Sequence, residues 1–321
     1  KLKRSGIHRS DIIWSQLAVL EIEVLITSND IAAAKEKLQE VEDVHFHSDM
    51  ECALHRAAGE LALRKGDLKE AAERFFNGFT LSAEKQDIPL LHRNLLGLSL
   101  SNIHLGDFEQ ARIYLDILRD NAQKYNDLTT LARHGQYSAI IHLQFGELEK
   151  AEQVLKKVTT YLGKSNQRRL QIESINMLGD VYRRMGHWDL SQKAYAKTLV
   201  VMEQMNHPNI AVPMLNMAMV LIQQQMYIEA EPYINRSLAI LHKLDWGPML
   251  AAGHILALCM HAHNYNWKEW DRHLEKADQL LNESKYVDSE IAIFAQLAGR
   301  ITKENGERSR SLKLLKISRD Q

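Results

Sequence analysis

Eight short phrases recur along the chain at an almost constant interval, each centred on a point where the backbone must turn back on itself. The turn positions are Asn29, Gly66, Gly106, Gly146, Gly186, Gln225, Tyr265 and Gly306, separated by 37, 40, 40, 40, 39, 40 and 41 residues. Apolar and small residues fall at helical spacing on both sides of each turn, so every unit reads as helix, turn, helix. Lys65-Gly66-Asp67-Leu68 is followed by Ala71 and Phe75, Leu105-Gly106-Asp107-Phe108 by Ala111 and Leu115, and Phe145-Gly146-Glu147-Leu148 by Ala151 and Leu155. Gln225, Tyr227 and Ala230 keep the phrase without glycine, and Asn29 supplies the next most tolerant residue for a left-handed turn. In the seventh phrase Trp270 replaces the alanine, which implies a wider helix crossing there. One such pair has no means of burying its apolar face alone, so copies must stack.

The fullest copy is Ser174 to Leu199, SINMLGDVYRRMGHWDLSQKAYAKTL. Leu178-Gly179, Tyr182, Gly186, Trp188, Ser191 and Tyr195 in it resemble the signature of the tetratricopeptide repeat, with Ser191 at the usual alanine and Tyr195 at the usual phenylalanine. Gly179 and Ser191 lack bulk, which lets two helices cross closely, while Tyr182, Trp188 and Tyr195 fill the space toward the next pair. The resemblance implies an all-α, right-handed α-solenoid of about eight helix pairs, a single continuous array over residues 1–321. The period exceeds the family's common value of about 34 residues. Such long repeats resemble the arrays of kinesin light chains and spindle-orientation adaptors, and the sensor arrays of bacterial signal-transduction ATPases (maltose-activator-like) and kinases. Pro89, Pro213 and Pro248 fit near the starts of first helices, where a missing N–H costs little, whereas Pro232 falls inside a second helix and is expected to bend it.

Composition narrows the function. A formal net charge of −1 argues against a general nucleic-acid binder, which needs a basic surface. Cys52 and Cys259 are the two cysteines, too few for a disulfide framework and consistent with a reducing, cytoplasmic setting. The most apolar stretch, Met249 to Met260, is interrupted by Gly253 and His254 and is too short to span a bilayer. The first residues, KLKRSGIHRS, are basic without a following apolar core, and the missing initiator Met suggests a piece of something longer, attached to another domain.

No phosphate-binding loop, nucleophile elbow or HExxH motif is present, and Glu and Asp alternate with Lys and Arg as on solvated helix faces, so the expectation is a protein without catalysis and without a cofactor. Two histidine groups stand out, His45-Phe46-His47 and Cys259, His261, His263. Cys259 and His263 are four apart and share a helix face, but the further ligands of a closed zinc set are missing, so no metal is expected. Basic residues collect at both ends, Lys1, Lys3, Arg4 and Arg9, then Arg308, Arg310, Lys313, Lys316 and Arg319. Leu312, Leu315 and Ile317 interleave with the second group, as in an amphipathic capping helix.

Function is therefore expected on a binding surface. By resemblance, first helices line the concave side of the array, and counting back from the turns places Gln136 and Tyr137, then Asn176, Asp180, Arg183 and Arg184, then Leu215, Asn216 and Met219, then Ile255 as groove residues. Ten of the eleven methionines lie between Met177 and Met260, and Met214 and Met219 are the contact candidates among them, since flexible thioethers suit an adaptable surface. Asn216 resembles the inward asparagine that bonds peptide backbone in long-period arrays. The clamp that holds chaperone C-termini is not expected, because Arg56, Glu60, Gly97, Arg133 and Tyr137 stand at its positions and Glu60 repels a carboxylate. These readings converge on a regulatory sensor array that binds a peptide, a partner protein or a small effector, with a free-standing adaptor bridging two proteins as the alternative.

Overall fold

The computed structural model describes residues 12–28, 30–42, 47–163, 166–244, 246–284 and 289–321. The described residues form sixteen α-helices, two 3₁₀ turns (Ser48–Met50 and Pro208–Ile210) and no strand. They pair as α1 (Ile12–Thr27) with α2 (Ile31–Glu42), α3 (Glu51–Lys65) with α4 (Leu68–Glu84), α5 (Ile88–Leu105) with α6 (Phe108–Lys124), and α7 (Leu128–Gln144) with α8 (Leu148–Leu162). The series continues with α9 (Arg168–Arg184) and α10 (Trp188–Gln204), α11 (Ala211–Gln223) and α12 (Tyr227–Lys243), α13 (Gly247–His263) and α14 (Trp267–Ser284), and α15 (Ser289–Glu304) and α16 (Arg308–Asp320). This is an all-α solenoid of eight helix pairs.

The turns explain the period. Gly66, Gly106, Gly146, Gly186 and Gly306 have φ of 79°, 78°, 68°, 76° and 88°, and Gln225 and Tyr265 hold the same left-handed conformation at 62° and 54°. In each, the N–H after the turn residue reaches back to the carbonyl five residues earlier, as Asp67 to Ala62 (2.9 Å), Asp107 to Asn102 (2.9 Å) and Met226 to Leu221 (2.8 Å). Asn29 lies outside the described residues. A second set of left-handed residues, Gln86, Asn126 and Asn206, closes the connections between repeats. Aspartates then start the next helices: Asp67, Asp87, Asp107 and Asp127 accept from the N–H groups of Glu70, Leu90, Gln110 and Thr130 at 3.0–3.2 Å.

The chain forms two compact units, residues 1–170 and 171–321, each described by itself. In the first, each odd-numbered helix packs on its even-numbered partner, and α1, α3, α5 and α7 also pack on one another in order. Its core is built from Trp14, Ile22 and Ile26 beneath α3, from Phe75 against Leu98, and from Leu95, Leu115 and Leu118. Helix α1 is rich in apolar residues and leaves Ile13, Leu17, Leu20 and Val24 exposed. Buried His92 on α5 meets Asp127 at the start of α7 (Nδ1–Oδ2 3.1 Å), tying one repeat to the next through a capping residue. Arg56 pairs with Glu60 (2.7 Å) and with Glu23 of α1.

The second unit has one large core running from Ile172 to Ile317. Trp270, Tyr195 and Phe294 are its largest enclosed side chains. The indole of Trp270 stands where alanine is usual and is fully buried. Pro232 lies inside α12, which continues through it as one helix. On α16 the buried residues are Ser311, Leu314 and Ile317, so of the three apolar residues expected along the amphipathic helix Ile317 packs inward while Leu312 and Leu315 are exposed. Arg310 of the basic group is held by Asp271 (2.7 Å) and Glu307 (2.6 Å) and lies over the Trp267 ring.

Candidate functional site

Helix α9 carries Asn176, Asp180, Arg183 and Arg184, spaced so that all four share one side of the helix. Behind them the crossing of α9 and α10 is as tight as the small residues allow. The Ser191 hydroxyl donates to the Gly179 carbonyl (2.8 Å), and a Cβ placed on Gly179 would lie 2.4 Å from the Tyr195 ring. The ring of Tyr195, fully buried, passes over Gly179 and presents its hydroxyl to Asp180, donating to Oδ1 at 2.5 Å. Tyrosine in place of phenylalanine is thus a chemical difference, because it carries a proton donor through the repeat to the α9 face. Burial pushes the Asp180 carboxyl up, against the pull of Arg183, and burial with the neighbouring Asp180 pushes the Tyr195 phenol well up.

The two arginines converge on a residue far along the chain. Arg183 Nη2 and Arg184 Nη2 lie 2.8 Å and 2.9 Å from the same oxygen, Oε1 of Glu290, in the first turn of α15. Arg183 is only 5 % exposed, whereas the Arg184 side chain is 31 % exposed, so one guanidinium is enclosed and the other opens to solvent. Burial works against the charge on both Arg183 and Glu290, but their attraction wins, raising the guanidinium and lowering the carboxyl. Among the described residues, the enclosed Nε of Arg183 and Oδ1 of Asn176 find no hydrogen-bond partner.

The other expected groove residues divide by burial. Asn216 is half-buried on α11. Leu215, Met219 and Ile255 are part of the core, at 1 %, 7 % and 0 % exposure, and Met214 at 1 % is equally enclosed. Gln136 and Tyr137 belong to the first unit. Gln136 is buried, donating to the Leu170 carbonyl (3.2 Å) and accepting from Arg133 (3.0 Å), and Tyr137 packs half-buried against the Leu95–Leu118 core. Glu290 escaped sequence reasoning because no local spacing links it to α9. Two clefts escaped it as well, of about 440 and 540 Å³, which share Gln223, Leu297 and Arg300 beside α15. In the smaller cleft, Tyr227 and His263 stack with ring centroids 4.3 Å apart.

The second histidine group makes partners other than a metal-ligand set. Cys259 is fully buried, its thiol pushed up to about 12 by burial, and it points at the carbonyls of Phe294 (3.7 Å) and Ile255 (3.9 Å). Buried His254 and His273 face each other with Nδ1 atoms 2.7 Å apart, and His261 lies against His273. Among the described residues no three His, Cys, Asp or Glu side chains gather as ligands, and no helix is long and apolar enough to cross a membrane. Lys1, Lys3, Arg4, Arg9, His45 and Phe46 lie outside the described residues, while His47 accepts from the Asp49 N–H (3.3 Å).

Residues 170–243 match the family model described as tetratricopeptide repeat. No curated protein sequence matches the chain. Among solved structures, a Rap protein complexed with competence and sporulation factor is similar at 10 % identity and a TM-score of 0.74, over 99 % of this chain and 89 % of that one. NprR in complex with its cognate peptide NprX is similar at 16 % identity and a TM-score of 0.68, over 99 % and 91 %. A signal-transduction ATPase with numerous domains from Pyrococcus horikoshii, bearing a tetratricopeptide repeat sensor, is similar at 14 % identity and a TM-score of 0.63, over 95 % of this chain and 45 % of that one. These likenesses, with the matched repeats, make the molecule a tetratricopeptide-type repeat protein in fold.

Proposed function

We propose that the chain is a non-catalytic sensor array of a signalling protein, and that it binds a short peptide or an extended segment of a partner protein on the first-helix face of its second unit. The observation that carries this reading is the polar cluster of Asn176, Asp180, Arg183, Arg184 and Glu290 set on helices that otherwise bury apolar side chains. Charges are costly to hold in such a place without a purpose in recognition or specificity. The half-buried Asn216 on α11 adds an amide that both donates and accepts, which suits peptide backbone. The complex of NprR with its cognate peptide NprX, similar along nearly the whole length of this chain, supports the ligand class.

On this reading, Leu215, Met219 and Ile255 support the face from beneath, Asn176, Asn216 and Arg184 contact the ligand, and Gln136 and Tyr137 hold the corresponding positions in the first unit. The test is capture of peptides from a randomised hexapeptide library by the wild-type protein, by Asn216→Ala plus Arg184→Ala, and by Lys156→Ala plus Lys193→Ala on second helices. Capture lost in the first pair and kept in the second is the expected result. The reverse pattern places binding on the outer helices and overturns the site.

A further inference from the structure

The geometry points to the Arg183–Arg184 pair as a carboxylate-binding subsite that Glu290 occupies in the absence of ligand, and to an acidic peptide as the ligand that takes its place; this rests on the peptide-binding reading above. Three observations carry it. The first is the reach of the contact. Ion pairs elsewhere span less: Lys37 with Glu21 joins the two helices of one repeat, and Arg56 with Glu23, Arg74 with Glu42, Arg236 with Glu203 and Arg310 with Asp271 join neighbouring repeats. Arg183 and Glu290 instead belong to α9 and α15, with the first helices α11 and α13 between them in sequence. A staple between stacked repeats has no need of that span.

The second is the donor arrangement. Two guanidiniums converge on one carboxylate oxygen, so charge-assisted contacts reach a single anion from two side chains. Asp180, held by the Tyr195 hydroxyl, lies close enough to Arg183 to attract its charge. Withdrawal of Glu290 removes its attraction for both guanidiniums, and an incoming carboxylate restores it. The third is access and spare capacity. Arg184 is partly open to solvent, while Arg183 Nε and Asn176 Oδ1 are a donor and an acceptor enclosed without a hydrogen-bond partner among the described residues. A peptide carboxylate arriving with its adjoining amide meets both.

The carboxylate comes either from an Asp or Glu side chain or from a free C-terminus, and the experiment separates the two. A randomised hexapeptide library with free C-termini is selected on wild type and on Glu290→Gln, which keeps the size of the side chain and removes its charge. Enriched peptides are then resynthesised with Asp and Glu changed to Asn and Gln, or with an amidated C-terminus, and titrated by calorimetry at low and high salt. The expected result is that one of the two neutralisations weakens binding by about tenfold or more, that Glu290→Gln tightens the acidic peptide by about tenfold because the internal competitor is gone, and that Arg184→Gln weakens it by a similar factor. Peptides that bind equally well when neutralised, or that Glu290→Gln weakens whatever their charge, make the pair a structural strut and overturn the subsite while leaving peptide binding intact. Absence of any enriched peptide on both proteins overturns the peptide-binding reading, and the subsite with it. If Glu290→Gln does not fold, Arg184→Gln decides alone: it retains the Arg183–Glu290 pair, and equal affinity for acidic and neutralised peptides in wild type and variant refutes the subsite.

Discussion

Replacing Gly179 by alanine sets two physical effects against each other, and the structure decides which prevails. In an exposed helix interior the change is worth about 1 kcal/mol of added stability, because glycine has more backbone freedom to lose. Here the new Cβ would sit 2.4 Å from Cε1, 2.8 Å from Cδ1 and 2.9 Å from Cζ of Tyr195. The ring has no free direction: it is fully buried, and its hydroxyl is tied to Asp180. Relief therefore requires α9 and α10 to separate, which strains the Ser191–Gly179 hydrogen bond. Overpacking costs about 1–3 kcal/mol and a strained buried hydrogen bond about 1 kcal/mol more, so the net expectation is a loss of about 2 kcal/mol. Repeat arrays unfold in more than one step, so the quantity to measure is the local opening free energy of α9 and α10 amides by hydrogen exchange. The same substitution in a Tyr195→Leu background should be neutral or stabilising. Equal or greater protection of Gly179→Ala in the wild-type background refutes the crossing argument.

Further outcomes follow from the same packing. His254 and His273 are held neutral, at about 4 and about 3, by burial first and then by Lys276, Arg272 and His242 on His254 and by His254, His261, Arg272 and Lys276 on His273. Unfolded histidines bind protons near pH 6.5, so the second unit keeps this stability above that pH and loses it as pH falls toward 4. Melting temperatures of its transition should drop between pH 7.5 and 5.0, and His254→Leu plus His273→Leu should flatten that drop; a slope unchanged by the double variant refutes the assignment. Asp107→Ala removes the oxygen that accepts from Gln110 N–H (3.1 Å) and should cost about 1 kcal/mol in urea denaturation, while exposed Glu109→Ala stays within about 0.5 kcal/mol; equal effects would show that the cap contributes nothing.

The fold was legible because its determinants are local. A left-handed turn residue, a helix N-cap and a small residue at the crossing each act within a few positions, and Gly66, Gly106, Gly146, Gly186, Gln225, Tyr265 and Gly306 mark the observed turns. The inter-repeat turns at Gln86, Asn126 and Asn206 are not legible in the sequence, since glutamine and asparagine announce a positive φ far less clearly than glycine. The site was legible only in part. Helical spacing put Asn176, Asp180, Arg183 and Arg184 on one face, yet said nothing of Glu290, whose proximity depends on how α15 packs in the second unit. Spacing also places a residue on the inner side of its helix without telling whether the neighbours bury it. Leu215, Met219 and Ile255 show the consequence, for they face inward into the core instead of into open space. The size of Tyr195 marks it as a stand-in for phenylalanine in the repeat pattern, but it is the hydroxyl that organises Asp180.

The proposed ligand site lies on the first helices of the second unit. Hydrogen exchange with and without a peptide enriched from the hexapeptide library tests it most directly, because it reports protection along every helix at once. The prediction is new protection in α9 around Asn176–Arg184, in α11 around Asn216 and in the first turn of α15, with α10, α12 and α14 unchanged. Protection confined to α10, α12 and α14, with α9 and α15 unaffected, would contradict it.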